Sequence, residues 1–379
     1  MPPTWPGSGA NVFTVQGRCT ASGVNFHPQN QCGEPNVRLS DDSSVYEMMF
    51  VTNRFVPGSK TGYPAQISYT DVPVRGNLLL DWRNNREGGT GLPIMQLVPV
   101  LGSPNDEGLD TPAKIKSPLL NRYITYFQSR PGNRPNGVGD ISIIQAGTSP
   151  LLPGNICKWC QRPKVKLLEP SQSWHNGFLV VNPVVGEPNR WGGGVLECAP
   201  VWRGSTQEML MFFQGFTGIT GGTQTHRLGR STDKYGGGLS PFVLDPTTPV
   251  FNRKIGQVGV WGNLDIGMES QVFLDPDGIT LWCLFISAQI GLEGSYGIGI
   301  ARSDDWGYTW TMSGATNPLV TITSAGVPQI SPSDRIGSPS LIPSYDGAQW
   351  LLFFTYKPPG GISAYPQSGI YLATATRVP

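Results

Sequence analysis

A chain of 379 residues with 14% charged residues, 49 glycines and 35 prolines has the balance of many short strands joined by many turns. Its net charge of +1, with Lys and Arg scattered rather than clustered, leaves no electrostatic footprint for a nucleic-acid backbone or an anionic membrane surface. No apolar run approaches the roughly 18 residues of a membrane span, and the start, Met1 to Gly9, lacks the basic and apolar regions of a secretory signal.

The first predicted element is a strand at Ala10 to Gln16 that belongs to no repeat. After it, one apolar, aromatic-rich run recurs five times: Val45 to Thr52, Tyr123 to Ser129, Met209 to Gln214, Leu281 to Ser287 and Trp350 to Tyr356. Each reads as a buried strand. A shorter strand precedes every one: Gly33 to Val37, Lys116 to Leu120, Glu197 to Val201, Glu269 to Phe273 and Gly337 to Leu341, aligned on Pro35, Pro118, Ala199, Gln271 and Pro339. A third strand follows each aromatic run, plainest at Gly297 to Ser303 and Gly369 to Ala375, with weaker versions at Ile67 to Thr70, Ile141 to Ala146 and Arg227 to Ser231. Fourth strands are expected at Ile94 to Val100, Lys164 to Leu168, Thr248 to Phe251 and Asn317 to Ile322.

Units of four antiparallel strands, repeated every 70 to 80 residues or so, predict an all-β, five-bladed β-propeller as a single domain over 1–379. Its blades fall at about 33–102, 112–170, 195–252, 266–322 and 335–379. The last unit stops after its third strand, so the strand at 10–16 is expected to supply the fourth and close the ring. Two β-sandwich domains would also give many short strands, but they would not keep one register over five units.

Ser303-Asp-Asp-Trp-Gly-Tyr-Thr-Trp310 matches the Asp-box pattern, with a degenerate copy at Ser231 to Gly236. It reads as a hairpin turn, with Asp305 accepting backbone N–H bonds and Gly307 free to take a positive φ. Cys198 and Cys283 read as buried thiols, Cys157 and Cys160 as loop cysteines, and Cys19 and Cys32 as a pair whose bridging the sequence leaves open. His27, His175 and His226 lie far apart in the repeat scheme, and no glycine-rich phosphate loop follows any strand. No metal and no cofactor are therefore implied.

First strands line the channel of a propeller, and this alignment puts Gly33, Lys116, Glu197, Glu269 and Gly337 at one level. Two carboxylates and an ammonium there need partners or a use. A Lys116 to Glu197 ion pair between blades is one reading, and a glycan site is the other.

Glu197-Cys-Ala199 resembles the Glu-Cys-Pro or Glu-Gly-Pro motif of the five-bladed glycoside hydrolases of the arabinanase/xylosidase-like and invertase-like clans. The resemblance implies that Glu197 is a general acid and that Glu34, in Glu34-Pro35, stands where the family has an Asp nucleophile or base. Lys116-Ser-Pro118 stands where the family has a further Asp. Glu269 is a second candidate partner for Glu197, since glycosidic cleavage takes two carboxylates. Lys116, Trp191, Trp261 and Arg335 are candidate substrate-binding residues, the tryptophans as sugar platforms. Arg335 is the single Arg beside an aligned first strand, which excludes the arginine cluster of a sialidase. The expected partner is a glycan or polysaccharide met outside the cell or at a virion surface. The same composition also suits a non-enzymatic adhesion protein, such as a phage tail, fibre or decoration component, in contact with other virion proteins.

Overall fold

The structure, a computed structural model, describes residues 4–8, 12–20, 32–53, 65–83, 95–97, 108–130, 143–150, 195–216, 226–234, 236–238, 242–245, 264–288, 296–312, 316–328, 335–357 and 369–378. Among these no helix occurs, and so none that could cross a membrane. Twenty strands follow in chain order. They are β1 (Thr14–Arg18), β2 (Cys32–Leu39), β3 (Val45–Asn53), β4 (Ala65–Pro73), β5 (Met95–Leu97), β6 (Gly108–Ser117), β7 (Arg122–Arg130), β8 (Ile143–Pro150), β9 (Val195–Arg203) and β10 (Glu208–Phe216). The rest are β11 (His226–Lys234), β12 (Val243–Leu244), β13 (Leu264–Leu274), β14 (Leu281–Ala288), β15 (Gly297–Ser303), β16 (Thr311–Met312), β17 (Val320–Thr321), β18 (Arg335–Pro343), β19 (Gln349–Lys357) and β20 (Gly369–Thr376).

The chain divides into two compact units, residues 1–52, 68–94 and 253–379 in the first and residues 53–67 and 95–252 in the second. In the first, strands pair in the orders β2-β3-β4, β13-β14-β15-β16 with β17 also on β15, and β18-β19-β20-β1. β1 runs antiparallel to β20, with Thr14 opposite Thr374 and Arg18 opposite Tyr371, so the N-terminal strand does supply the fourth strand of the last repeat. It does so over 14–18; residues 9–11 lie outside the described residues.

The aromatic runs are the strands next to each first strand, and in β19 the period of two explains why Trp350 to Phe354 are apolar without a break. Trp350, Leu352, Phe354 and Tyr356 enter one core with Trp282, Leu284 and Ile300 of the β13–β17 sheet. Leu351 and Phe353 point the other way, into a core with Tyr46, Met48 and Phe50 of β3. A strand covered on both faces has no polar side to keep, and each large side chain so buried contributes roughly 1.5–3 kcal/mol.

Hairpins joining first to second strands in this unit share one turn chemistry. Asp42 accepts from the Ser40 hydroxyl at 2.7 Å and the Ser44 N–H at 3.0 Å, and Asp346 accepts from the Ser344 hydroxyl at 2.6 Å and the Ala348 N–H at 3.0 Å. Asp277 does the same work between β13 and β14 through the Ile279 and Thr280 N–H groups, both at 2.8 Å. An Asp that accepts backbone donors in this way replaces the bonds a tight turn cannot make to itself.

The Ser303 to Trp310 turn between β15 and β16 is built alike. The Asp305 carboxylate accepts from the Ser303 hydroxyl at 2.7 Å, the Thr309 N–H at 2.9 Å and the Thr309 hydroxyl at 2.6 Å; Gly307 takes φ 85° and donates its N–H to Ser303 Oγ at 2.8 Å. Burial opposes charge on Asp305, but these bonds outweigh it and hold the carboxyl below the usual carboxylate range. A depressed pKa contributes stability above the unfolded value that is lost as pH falls through the folded one. Asp305→Ala is therefore expected to cost about 1–2 kcal/mol at neutral pH. In thermal melts the gap from the unaltered protein should close as pH drops below about 4, and a gap that persists in acid contradicts the assignment.

In the second unit the orders are β6-β7-β8 and β9-β10-β11-β12. Ile124 and Tyr126 of β7 share a core with Met209, Met211 and Phe213 of β10. β12 stands where the sequence suggested no strand, and the expected fourth strands at 164–168 and 248–251 lie outside the described residues. Buried Arg230 on β11 pairs with Asp245, and Asp233 accepts the Gly238 N–H at 2.7 Å, fixing the turn after β11. Gly229 lies against the ring of Phe213, where a Cβ would overlap the ring carbons. Gly229→Ala is expected to destabilise by about 1–3 kcal/mol through overpacking; chemical denaturation showing no loss would mean that the ring has room to turn.

Candidate functional site

Each first strand carries a β-bulge, and the bulges fix the register. In β2, Gly33 faces Val51 and Asn36 faces Met49, so Glu34 and Pro35 oppose the single residue Phe50. In β6 Thr111 and Pro112 oppose Phe127, in β13 Glu269 and Ser270 oppose Phe285, and in β18 Ser338 and Pro339 oppose Phe354. In β9 the ladder steps from Cys198–Phe213 to Leu196–Gln214 and leaves Glu197 as the extra residue. Five bulges thus face five phenylalanines.

Four of these bulged residues adopt a left-handed conformation: φ is 53° at Glu34, 47° at Thr111, 49° at Glu197 and 46° at Ser338. None is glycine, and a non-glycine residue held there costs on the order of 1–3 kcal/mol. Such re-aimed side chains are characteristic of sites, where a bulge turns a group that the regular pleat would point elsewhere.

This register corrects the alignment on prolines. The equivalent residues are Glu34, Thr111, Glu197, Glu269 and Ser338, so Glu34 rather than Gly33, and Ser338 rather than Gly337, stands level with Glu197 and Glu269. Lys116 does not belong to the set. It is exposed, opposite Tyr123 near the end of β6, five residues past the bulge and so roughly 16 Å along the strand. The second repeat therefore begins with β6 at Gly108, ahead of the expected 112.

In the first unit, hydrogen bonds between neighbouring first strands hold these bulges. Ser340 Oγ accepts from the Val37 N–H at 3.0 Å and the Gln271 amide at 3.3 Å, and Gln271 Oε1 accepts from the Leu341 N–H at 2.9 Å. Together these order β2, β18 and β13 side by side. The Glu34 N–H donates to Thr355 Oγ1 at 2.8 Å, which fixes the bulge itself. Glu34 is half-buried. Arg335 opens β18 three residues before its bulge, exposed, with its guanidinium 5.2 Å from the centre of the Tyr296 ring.

In the second unit the Cys198 thiol donates to the Thr111 carbonyl at 3.1 Å, tying the bulge of β9 to that of β6. Glu197, beside it, is half-buried. Glu269 lies in β13 at its bulge, and its side chain falls outside the described residues, as do Trp191, Trp261, Cys157, Cys160, His27 and His175. Among the described residues no group of three or more His, Cys, Asp or Glu side chains is arranged to hold a metal ion.

The sequence reading missed Thr111 and Ser338. A signal for both was present: each bulged residue precedes its phenylalanine by sixteen positions, Glu34 to Phe50, Thr111 to Phe127, Glu197 to Phe213, Glu269 to Phe285 and Ser338 to Phe354.

These sheets and their repeated bulges define a fold of the β-propeller glycoside hydrolase kind, in agreement with the resemblance carried by Glu197-Cys-Ala199. A thermostable family-43 glycoside hydrolase superposes with a TM-score of 0.55 at 13% identity, over 96% of this chain and 92% of that one. A glycoside hydrolase, described as putative, from Parabacteroides distasonis gives 0.56 at 11% identity, over 98% of both chains. An alpha-L-arabinofuranosidase from Lactobacillus brevis gives 0.54 at 11% identity, over 92% and 91%. No protein-family model matches the sequence, and no curated protein matches it either.

Proposed function

We propose that this protein is a glycan-acting, five-bladed β-propeller, closed by β1, that hydrolyses a glycosidic bond with Glu197 as general acid and Glu34 as the partner carboxylate. The observation that carries the reading is the recurrence of glutamate on strained bulges of the first strands. A backbone conformation that costs free energy at several equivalent positions, and bears an acid at two of them, Glu34 and Glu197, is the pattern of groups held for chemistry.

Hydrolysis would proceed by proton transfer from Glu197 to the glycosidic oxygen as the bond to the anomeric carbon breaks. Glu34 would either attack that carbon or take a proton from the attacking water. Glu269, at the third glutamate-bearing bulge, would be the alternative partner carboxylate. Arg335, over the Tyr296 ring, and the tryptophans Trp191 and Trp261 would bind sugar hydroxyls and faces. The hydrolase neighbours support a carbohydrate ligand, at identities too low to name which one.

Thr111 favours a second reading, in which the protein binds glycan without cleaving it, as an adhesion component of a virion or cell surface. The bulge of the second repeat carries Thr111, which is not an acid, where the resemblance to the five-bladed hydrolases implies a further Asp in that repeat. Glycan-array binding with parallel measurement of reducing-sugar release separates the two. Binding with release supports hydrolysis, binding without release replaces it with adhesion, and the absence of both binding and release overturns the proposal.

A further inference from the structure

Cys19 and Cys32 sit where the N-terminal strand passes into the first repeat. Both are free thiols, 1% and 2% exposed, in one apolar core with Val37, Trp82, Ile370 and Leu372. Cys19 follows directly on β1, and its N–H donates to the Ile370 carbonyl at 2.8 Å. The N–H of the same Ile370 donates to the Cys32 sulfur. In an antiparallel strand the N–H and C=O of one residue point to the same edge, so both cysteines meet β20 at one residue and on one side.

We propose that Cys19 and Cys32 form an oxidisable pair whose disulfide ties the closing strand to the first strand of the first repeat. The oxidant is a small-molecule or protein disulfide such as glutathione disulfide. The two cysteine thiols give up two protons and two electrons, one sulfur–sulfur bond forms between them, and the oxidant's disulfide leaves as two thiols. Burial pushes the Cys32 thiol up to about 11 and Cys19 higher still, with the neighbouring cysteine adding to the rise at Cys19. Since the thiolate is the reactive form, exchange in the folded protein is slow and the bond forms during folding in an oxidising medium. Such a pair belongs to a protein that works outside the reducing cytosol.

The test is to refold the full chain in a glutathione redox buffer, block remaining thiols and map disulfides by mass spectrometry, with a reduced sample alongside. The expected result is a Cys19–Cys32 linked peptide and a loss of two titratable thiols. The oxidised form should melt about 5 °C above the reduced one, since the bond closes a loop of chain in the unfolded state. In Cys32→Ala, whatever its own stability, oxidised and reduced samples should melt together if the bridge is the cause. The proposal is overturned if both residues remain alkylatable after oxidative refolding, or if the redox difference in melting survives in Cys32→Ala.

Discussion

Glu197→Gln is expected to reduce glycosidic-bond cleavage by two to four orders of magnitude while leaving glycan binding within a few-fold of the unaltered protein. The substitution keeps the length and shape of the side chain and its capacity to hydrogen-bond, and removes only the transferable proton. Its effect on the fold should be small. The left-handed φ of 49° at this position is no harder for glutamine than for glutamate, and the Cys198 to Thr111 contact that fixes the bulge uses neither carboxylate oxygen. The comparison is made on initial rates of reducing-end release, with the melting temperature as a check that the variant is folded. Cleavage within a few-fold of normal would remove Glu197 from the chemistry. A parallel loss of rate and melting temperature would assign it to structure.

The second large effect is expected from deleting residues 1–18. Phe13 and Val15 are buried at 7% and 9% exposure in the core that also holds Trp282, Trp350 and Phe354. Their loss forfeits several kcal/mol of apolar burial, together with the ladder from Thr14 to Arg18 along β20. A melting temperature lower by on the order of 10 °C follows. The deletion also strips the partner from β20, whose row of backbone donors and acceptors would then template pairing with another chain. Light scattering should show association in the truncated protein. A truncated protein that stays monomeric and melts with the full chain would mean that β1 is dispensable and that the last repeat is complete without it.

The second strands were legible because burial on both faces leaves no freedom in composition. Trp350 to Phe354 are apolar at every position, facing one core and the other in turn, and the pattern reads as one run. The first strands were legible as elements but not in register. Proline is an ambiguous marker of register, because β6 lies beside two: Pro112, in its bulge, and Pro118, in the turn beyond it. Lys116-Ser-Pro118 mimics Gly337-Ser-Pro339 by accident, whereas the ladder is governed by the phenylalanine opposite each bulge.

The fourth strands were the least legible. β12, β16 and β17 are two residues each, and so short a strand takes its form from the neighbour it pairs with rather than from its own composition. The turns at Ser40, Asp275 and Ser344 escaped notice for another reason. Their Asp acts through hydrogen bonds that many sequences can make, and only the Ser303 to Trp310 version keeps the full Ser-x-Asp-x-Gly-x-Thr-Trp spacing. Of the candidate site, Glu197 was legible through its motif, while the equivalence of Glu34 with it required the bulge.

Glutamates on the first-strand bulges are expected to act on a glycan. The most direct test is a crystal structure of the Glu197→Gln variant with an oligosaccharide chosen from the array. A glycosidic oxygen within hydrogen-bond reach of the side chain at position 197, with an anomeric carbon facing Glu34, is the predicted result. A sugar bound away from both residues would contradict it.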